Sequence, residues 1–280
     1  MTNVDYYAVM GNPIAHSKSP FIHAAFAQQT QQAIHYDAML VEKEQQAFSK
    51  AVNAFKAQQG KGLNITVPFK EYAWQISTRR SERAEKAGAV NTIWFDEQGN
   101  IVGDNTDGVG IVRDITQNQQ HVLTGKRVLI LGAGGAVRGV LGPILAEYPE
   151  QCVIANRTVS KAEALAELFT PQGNVYASGY QDLKQPFDVI INGTSASLQG
   201  NLPPLPNNIL AEQGWCYDMM YAATPTPFMK WALAKQATAI DGLGMLVEQA
   251  AEAFYLWRGV KPNTLPVIQQ LRQKLLMETT

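Results

Sequence analysis

The sequence predicts an α/β protein in two domains, the first discontinuous along the chain. Three observations carry this. Across the first third, strand-like runs ("YYAVMG", "HYDAML", "LNITV") alternate with helical ones, which suggests an α/β layer with a mainly parallel sheet. From Lys126 a stronger β-α-β-α-β succession follows, with a glycine-rich turn after its first strand. Two long apolar-periodic helices then close the chain with no sheet of their own to cover. Gly242 and Gly244 give a flexible exit ahead of them, so they are expected to pack back onto the first domain. The first domain accordingly takes residues 1–106 and 242–280 and the second residues 107–241, a division that 280 residues accommodate.

Taken in order, the first helix is expected to be capped by Ser19, with Pro20 in its first turn. "VNTIWFDEQGNIVGDNTDG" reads as two short strands around a Gly-containing turn, Glu97 to Asn100, before a new helix near Thr106. The strand "RVLIL" leads into "GAGGAVRG" and a helix to about Tyr148. "CVIAN", the capped helix "SKAEALAELF", "NVYA" and "FDVIING" follow. "WCYDMMY" and "TAID" supply further strands, separated by a helix opening at Thr226 and Pro227, and the second domain closes near Asp241. "LPPLPNN" is a Pro-rich loop, and no repeat or low-complexity segment interrupts the pattern.

Composition narrows the function classes. A formal net charge of -1 argues against a broad basic surface for nucleic acid or an anionic membrane. The first 20 residues lack a basic stretch followed by an apolar run, and no segment offers roughly 18 uninterrupted apolar residues, so a cytoplasmic address is the default expectation. Cys152 and Cys216 each lie beside an apolar strand-like run and are expected as buried free thiols rather than a disulfide. The four histidines and two cysteines show no metal-ligand spacing, and no metal is expected. A monomer or a homodimer is expected, working on small molecules.

The glycine turn is the first motif with chemical content. Gly132 permits a tight turn, Ala133 follows it, Gly134 lets a backbone approach a pyrophosphate, and Gly135 and Ala136 keep the turn small. The helix that starts there offers unpaired N–H groups and a favourable dipole. Val137 stands at the third position of G-x-G-x-x-G, so the generic fingerprint is imperfect. A purely structural turn is the alternative, but the strand-turn-helix context favours dinucleotide binding. The second strand ends in Asn156, Arg157 and Thr158, with Lys161 one turn into the next helix, where an NAD-binding unit commonly carries Asp or Glu. A guanidinium, an amide, a hydroxyl and a second cation suit a 2′-phosphate, so NADP is expected rather than NAD. The alternatives are a solvated charge for Arg157 and a helix cap for Thr158 or Ser160.

Three segments of the first domain, "NPIAHSKSP", "NITVPFKE" and "GDNTDG", carry polar residues where loops meet strands or helices. Their composition suits a small polyhydroxylated acid. Ser17 and Ser19 can donate to a carboxylate, Thr66 offers a hydroxyl, and Asn64 or Asn91 suits ring hydroxyls. Lys70 and Asp107 are the ionisable pair of interest, because carbonyl reduction needs a proton at oxygen as hydride reaches carbon. On spacing alone the plainer reading stands ahead: Lys70 as an exposed helix-start charge and Asp107 as a helix N-cap. His16 and His23 are read as solvated or structural.

Together these segments resemble the shikimate dehydrogenase family, NADP-dependent reductases of 3-dehydroshikimate in aromatic amino-acid biosynthesis. The resemblance spans nearly the whole chain, with "GNPIAHSKSP", "NITVPFKE", "AGAVNT", "GDNTDG", "GAGGAVRG", "NRT", "NGTSAS", "DMMY" and "DGLGMLVEQAA" in that order. It implies a discontinuous α/β substrate domain plus a Rossmann-type NADP-binding domain, with the active site in the cleft between them and some closure on binding. It implies that Ser17 and Ser19 bind the shikimate carboxylate, that Asn64, Thr66, Asn91, Asp107 and Gln249 surround the ring hydroxyls with Tyr221 nearby, and that Lys70 and Asp107 are the catalytic pair. On the cofactor side it implies Gly132 to Ala136 at the pyrophosphate and Asn156, Arg157, Thr158 and Lys161 at the adenosine phosphate. Thr194, Ser195, Met219, Gly242 and Met245 fall on the nicotinamide side. Quinate/shikimate dehydrogenases share the substrate loops but tend to use NAD, and the Asn-Arg-Thr end argues against that branch. A non-catalytic NADP sensor is the alternative from another class; it would not need Lys70 and Asp107 assembled with Ser17 and Ser19.

Overall fold

The computed structural model of the chain describes residues 4–196 and 200–278. It resolves into two compact units, Met1–Gly110 with Val247–Gln269, and Ile111–Leu246 with Gln270–Thr280. This division places Asp107–Gly110 with the first unit, and Gly242–Leu246 and Gln270–Thr280 with the second.

The first unit runs β1 (Asp5–Gly11), α1 (Ser19–Thr30), β2 (Ile34–Leu40), α2 (Gln45–Ala57), β3 (Gly62–Ile65), α3 (Lys70–Ile76), β4 (Arg79–Arg80), α4 (Glu82–Ala87), β5 (Thr92–Phe95), β6 (Ile101–Asp104) and the start of α5 (Asp107–Arg113). Its six-stranded sheet has the order β2-β1-β3-β5-β6-β4. The sheet is mainly parallel, as expected, with β4 parallel to β6 and β5 as its one reversed strand. β1 pairs parallel with β2 and β3, but β5 is antiparallel to both β3 and β6. The short link across Glu97–Asn100 leaves no alternative, because a crossover to a parallel neighbour needs a dozen or more residues. In α2, Phe48, Val52 and Phe55 recur at helical spacing and are buried against Ala8, Met10, Leu63 and Ile65. Phe48 stacks on Phe69, centroids 5.0 Å apart.

Ser19 does not cap α1. Lys18 occupies the cap position without a side-chain bond, and the Ser17 hydroxyl instead accepts the Ser19 N–H at 3.3 Å. Proline in the first turn fits as expected, since its missing N–H would have had no helical partner there.

The second unit continues with β7 (Arg127–Leu131), α6 (Gly135–Leu145), β8 (Gln151–Ala155), α7 (Val159–Phe169), β9 (Val175–Ser178), β10 (Phe187–Asn192), β11 (Leu210–Asp218), α8 (Pro227–Ala234) and β12 (Thr238–Asp241). All pairings are parallel in the order β12-β11-β10-β7-β8-β9, so the chain starts at the centre, winds out to β9, then returns and winds out the other way to β12. That is the doubly wound dinucleotide-binding order, with its reversal between β7 and β10. Val128 and Ile130 pack into one apolar cluster and Leu129 and Leu131 into another, as a central strand covered on both faces requires. α6 stops at Leu145 rather than near Tyr148, which adopts a left-handed turn at φ 54°. Thr226 caps α8, accepting the Met229 N–H at 3.2 Å.

The chain ends with α9 (Leu243–Arg258) and α10 (Leu265–Met277). Gly242 and Gly244 are not a flexible exit. A Cβ on Gly242 would lie 2.3 Å from the Met219 carbonyl oxygen, and one on Gly244 2.0 Å from Asp114 Oδ1. Both glycines are there for close packing. Asp114 is fully buried and accepts a hydrogen bond of 2.6 Å from the Tyr217 hydroxyl.

Cys152 and Cys216 are buried free thiols. Among the described residues no helix is long and apolar enough to cross a membrane, and no group of three or more His, Cys, Asp or Glu is placed to hold a metal ion.

Candidate active site

In the first unit, the end of β6 and the start of α3 bring Lys70 and Asp107 together. β6 ends at Asp104, and the Asn105 side chain accepts the Asp107 N–H at 3.1 Å. Asn105 therefore caps this turn, leaving the Asp107 carboxylate to other partners. Its Oδ2 meets Lys70 Nζ at 2.5 Å and its Oδ1 accepts from Asn91 Nδ2 at 2.8 Å. The two side chains are 28% and 11% exposed, so Lys70 is not the solvated helix-start charge that spacing alone suggested. Its backbone is held as well: the Lys70 carbonyl accepts the Val90 N–H at 2.9 Å, while buried Phe69 anchors the turn before it.

Asn91 joins this pair to the rest of the site. Its Nδ2 also lies 2.9 Å from Thr106 Oγ1 and 3.3 Å from Gln249 Oε1, and its Oδ1 accepts the Thr106 N–H at 2.9 Å and the Thr92 hydroxyl at 2.9 Å. From Thr92 the network reaches Asn64, and from Asn64 the Tyr36 hydroxyl at 2.7 Å. Tyr36 in turn bonds Ser19, and Ser19 leans on Ser17 through the N–H contact already described. One hydrogen-bonded network thus gathers Ser17, Ser19, Asn64, Asn91, Gln249, Asp107 and Lys70. Thr66 is half-buried in the β3–α3 turn, its backbone N–H bonded to the Met10 carbonyl at 3.0 Å, and its methyl would lie 2.4 Å from a Cβ on Gly11. Behind the network, Arg83 grips Asp104 with two hydrogen bonds of 2.7 and 2.6 Å, fixing the strand end from which Asp107 projects.

Burial sets the protonation of two members. It pushes His23 down to about 3, so the ring is neutral, and lifts the Tyr36 hydroxyl well above its ordinary value. Neither residue was singled out by sequence as part of a site. His23 sits in a helix face that reads as core, and nothing in "HYDAML" marks Tyr36 as more than an inward-facing ring.

In the second unit, the turn from β7 into α6 has the form that dinucleotide binding needs. Gly132 has φ 102°, a conformation that side chains rarely adopt, and its N–H bonds the Ala155 carbonyl at 2.8 Å. Gly134 and Gly135 differ. Among the described residues a Cβ on either would meet no atom within 4 Å, and neither has a positive φ. The chain's own packing therefore does not call for glycine at these positions, whereas a pyrophosphate approaching the backbone at the helix N-terminus does. Ala133 packs on the core beside them and Ala136 is exposed.

At the end of β8, Asn156 is half-buried and donates from Nδ2 to the Thr158 carbonyl at 2.9 Å, shaping the turn; Arg157, Thr158 and Lys161 are exposed. Thr158 stands at the cap position of α7 without making a side-chain cap bond. Thr194 is fixed by Asn192, whose Oδ1 accepts its hydroxyl at 2.7 Å, and Asn192 is fixed by buried Asp218 at 3.0 Å. Ser195 is exposed, whereas Met219 and Met245 belong to the apolar cluster against α6. Tyr221 lies in the second unit with Gly242, outside the network of the first, and burial raises its hydroxyl, followed by Asp241 and Glu278. Asn192 and Asp218 are the residues sequence missed here. They read as ordinary strand ends until the parallel sheet sets them side by side.

Comparison with known proteins gives these residues a family. The model described as Shikimate dehydrogenase substrate binding domain matches residues 9–93, that described as Shikimate / quinate 5-dehydrogenase residues 114–199, and that described as Shikimate 5'-dehydrogenase C-terminal domain residues 242–272. A protein of Alkalilimnicola ehrlichii called Shikimate dehydrogenase (NADP(+)) is 62% identical over 269 residues, covering 96% of this chain and 98% of its own. Among solved structures, an Ael1 enzyme from Pseudomonas putida is 48% identical with a TM-score of 0.91, over 95% of this chain and 98% of that one. The shikimate 5-dehydrogenase of Thermus thermophilus, solved with NADP(H) and shikimate, is 29% identical with a TM-score of 0.86, over 97% of this chain and 100% of that one. With identity this high across almost its entire length, the chain belongs to the shikimate dehydrogenase family.

Proposed function

We propose that Lys70 and Asp107 are the proton-transfer pair of an NADP-dependent shikimate dehydrogenase. The observation that carries this reading is the 2.5 Å contact of Lys70 Nζ with Asp107 Oδ2, the other carboxylate oxygen being held by Asn91. The chain is an oxidoreductase of the shikimate pathway that interconverts 3-dehydroshikimate and shikimate, a step toward the aromatic amino acids. NADPH, when bound, supplies the hydride that reduces the substrate carbonyl.

Lys70 gives a proton to the oxygen that becomes the hydroxyl and takes it back in the reverse direction. Asp107 holds the ammonium in place, and the partial exposure of Lys70 lets it regain its proton from water. Ser17 and Ser19 hold the substrate carboxylate. Asn64, Thr66, Asn91, Asp107 and Gln249 recognise the ring hydroxyls, with Tyr221 as a further substrate contact. Gly132, Ala133, Gly134, Gly135 and Ala136 receive the pyrophosphate, and the exposed Arg157, Thr158 and Lys161, with Asn156, take the 2′-phosphate. Thr194, Ser195, Met219, Gly242 and Met245 serve the nicotinamide end. We assign the substrate domain to residues 1–106 and 242–280 and the NADP domain to 107–241. The partners are small molecules, acting on a monomer or homodimer, and free thiols at Cys152 and Cys216 support a cytoplasmic address.

The test is initial-rate oxidation of shikimate by the wild type and Lys70→Ala, with NADP, NAD and quinate in parallel. Lys70→Ala should lower kcat by about 10²–10⁴-fold with the KM for NADP unchanged. Near-normal turnover of the variant rules the pair out, and comparable rates with NAD or quinate in the wild type point to the broader quinate/shikimate branch.

A further inference from the structure

The Asn64 carboxamide, on β3, lies between neighbours of opposite hydrogen-bonding character. On one side are donors: the Tyr36 hydroxyl 2.7 Å from Oδ1, and His23 Nε2 3.1 Å from the same oxygen. On the other side are acceptors. The Asn91 carbonyl, which already accepts the Ile65 N–H, is 3.4 Å from Nδ2, and Thr92 Oγ1, whose proton goes to Asn91 Oδ1, is 3.3 Å away. Inverting the amide would press its oxygen against a carbonyl and a committed hydroxyl, so one orientation alone satisfies both sides. That orientation also selects the His23 tautomer protonated at Nε2. The imidazole is fully buried and lies flat on the Tyr36 ring, centroids 4.2 Å apart with 7° between planes, so it has little freedom to turn away.

We propose that Tyr36 and His23 are positioning residues that lock the Asn64 carboxamide with its nitrogen on the Asn91–Thr92 side, so that Asn64 recognises shikimate as a donor to a ring hydroxyl oxygen. This rests on the assignment of Asn64 to the substrate site. The two contacts of Nδ2 are longer than the usual 2.9–3.0 Å, so a hydroxyl oxygen at normal distance displaces them. Tyr36 also bonds Ser19, four residues before His23 in α1, and through it the residue that orients Asn64 holds a proposed carboxylate ligand as well.

The experiment compares Tyr36→Phe, His23→Phe, His23→Gln and Asn64→Ala in steady-state shikimate oxidation, with Tm measured for each. Tyr36→Phe keeps the ring stack and removes one donor. It should raise the KM for shikimate about 3–10-fold, the effect of one hydrogen bond, with kcat and the KM for NADP within about twofold. His23→Phe should do the same, and His23→Gln, whose amide can donate, should recover most of the loss. A shikimate KM unchanged in both phenylalanine variants, or a rise matched by an equal rise in the KM for NADP and a fall in Tm, overturns the proposal in favour of a purely structural role. Asn64→Ala separates the two levels. If it leaves the shikimate KM unchanged, the assignment of Asn64 to the substrate site fails; if it raises the KM while the phenylalanine variants do not, the positioning role alone fails.

Discussion

A neutral imidazole in the core leaves a pH signature. Burial holds His23 at about 3, against about 6.5 in an unfolded chain, so between those values the unfolded state binds more protons than the folded one. Stability should therefore fall as pH falls from about 6.5 toward about 3. Urea unfolding at pH 7, 5 and 4 should show a shallower decline in His23→Phe than in the wild type; parallel declines would place the titrating group elsewhere. Arg157 makes the opposite kind of residue-level prediction, because its side chain is exposed rather than buried in the core. Arg157→Ala should raise the KM for NADPH by about 10–100-fold, the range of a charge-assisted bond, and leave NADH use nearly unchanged. Equal effects on the two would remove Arg157 from the 2′-phosphate site.

The turn from β7 to α6 separates what a fold needs from what a ligand needs. Gly132→Ala forces a side chain into φ 102° and sets a Cβ 3.1 Å from Thr194 Cγ2, so it should lower stability by about 1–3 kcal/mol. Gly134→Ala meets open space at an ordinary φ, so it should change stability by less than about 1 kcal/mol while weakening NADP binding. Calorimetric Tm and an NADP titration of both variants would decide this; weakened folding in Gly134→Ala with intact binding would reverse the assignment. This turn was legible in sequence because strand, glycines and helix start are contiguous, and so was the β-α alternation around it. Ser19 as cap and Gly242 with Gly244 as a flexible exit were misread, each for a local reason. A cap depends on which neighbouring side chain reaches the N–H first, and a glycine looks the same whether it frees the backbone or lets Asp114 approach it. The hubs Asn91, Tyr36 and Asn192 gain their meaning from strands far apart in sequence, which local pattern cannot supply.

At the scale of the molecule, the first unit carries the proposed acid–base pair and the second the proposed dinucleotide turn, and the chain passes from one to the other within α5, α9 and α10. Ligand linkage should report on the second unit: NADP at a hundred times its Kd should add about 2.7 kcal/mol of stability, seen as a rise in Tm. At the same concentration Gly134→Ala should show a smaller rise, and an equal rise would mean that the turn does not meet the cofactor. The two thiols give that unit a further property. Cys152 and Cys216 lie in β8 and β11, on either side of the central strands, and burial pushes each up to about 12. Neither is reactive while the sheet is closed, so an alkylating reagent marks the chain only when that sheet opens. The molecule thus carries its own internal clock for opening of the parallel sheet, two native probes that need no engineering.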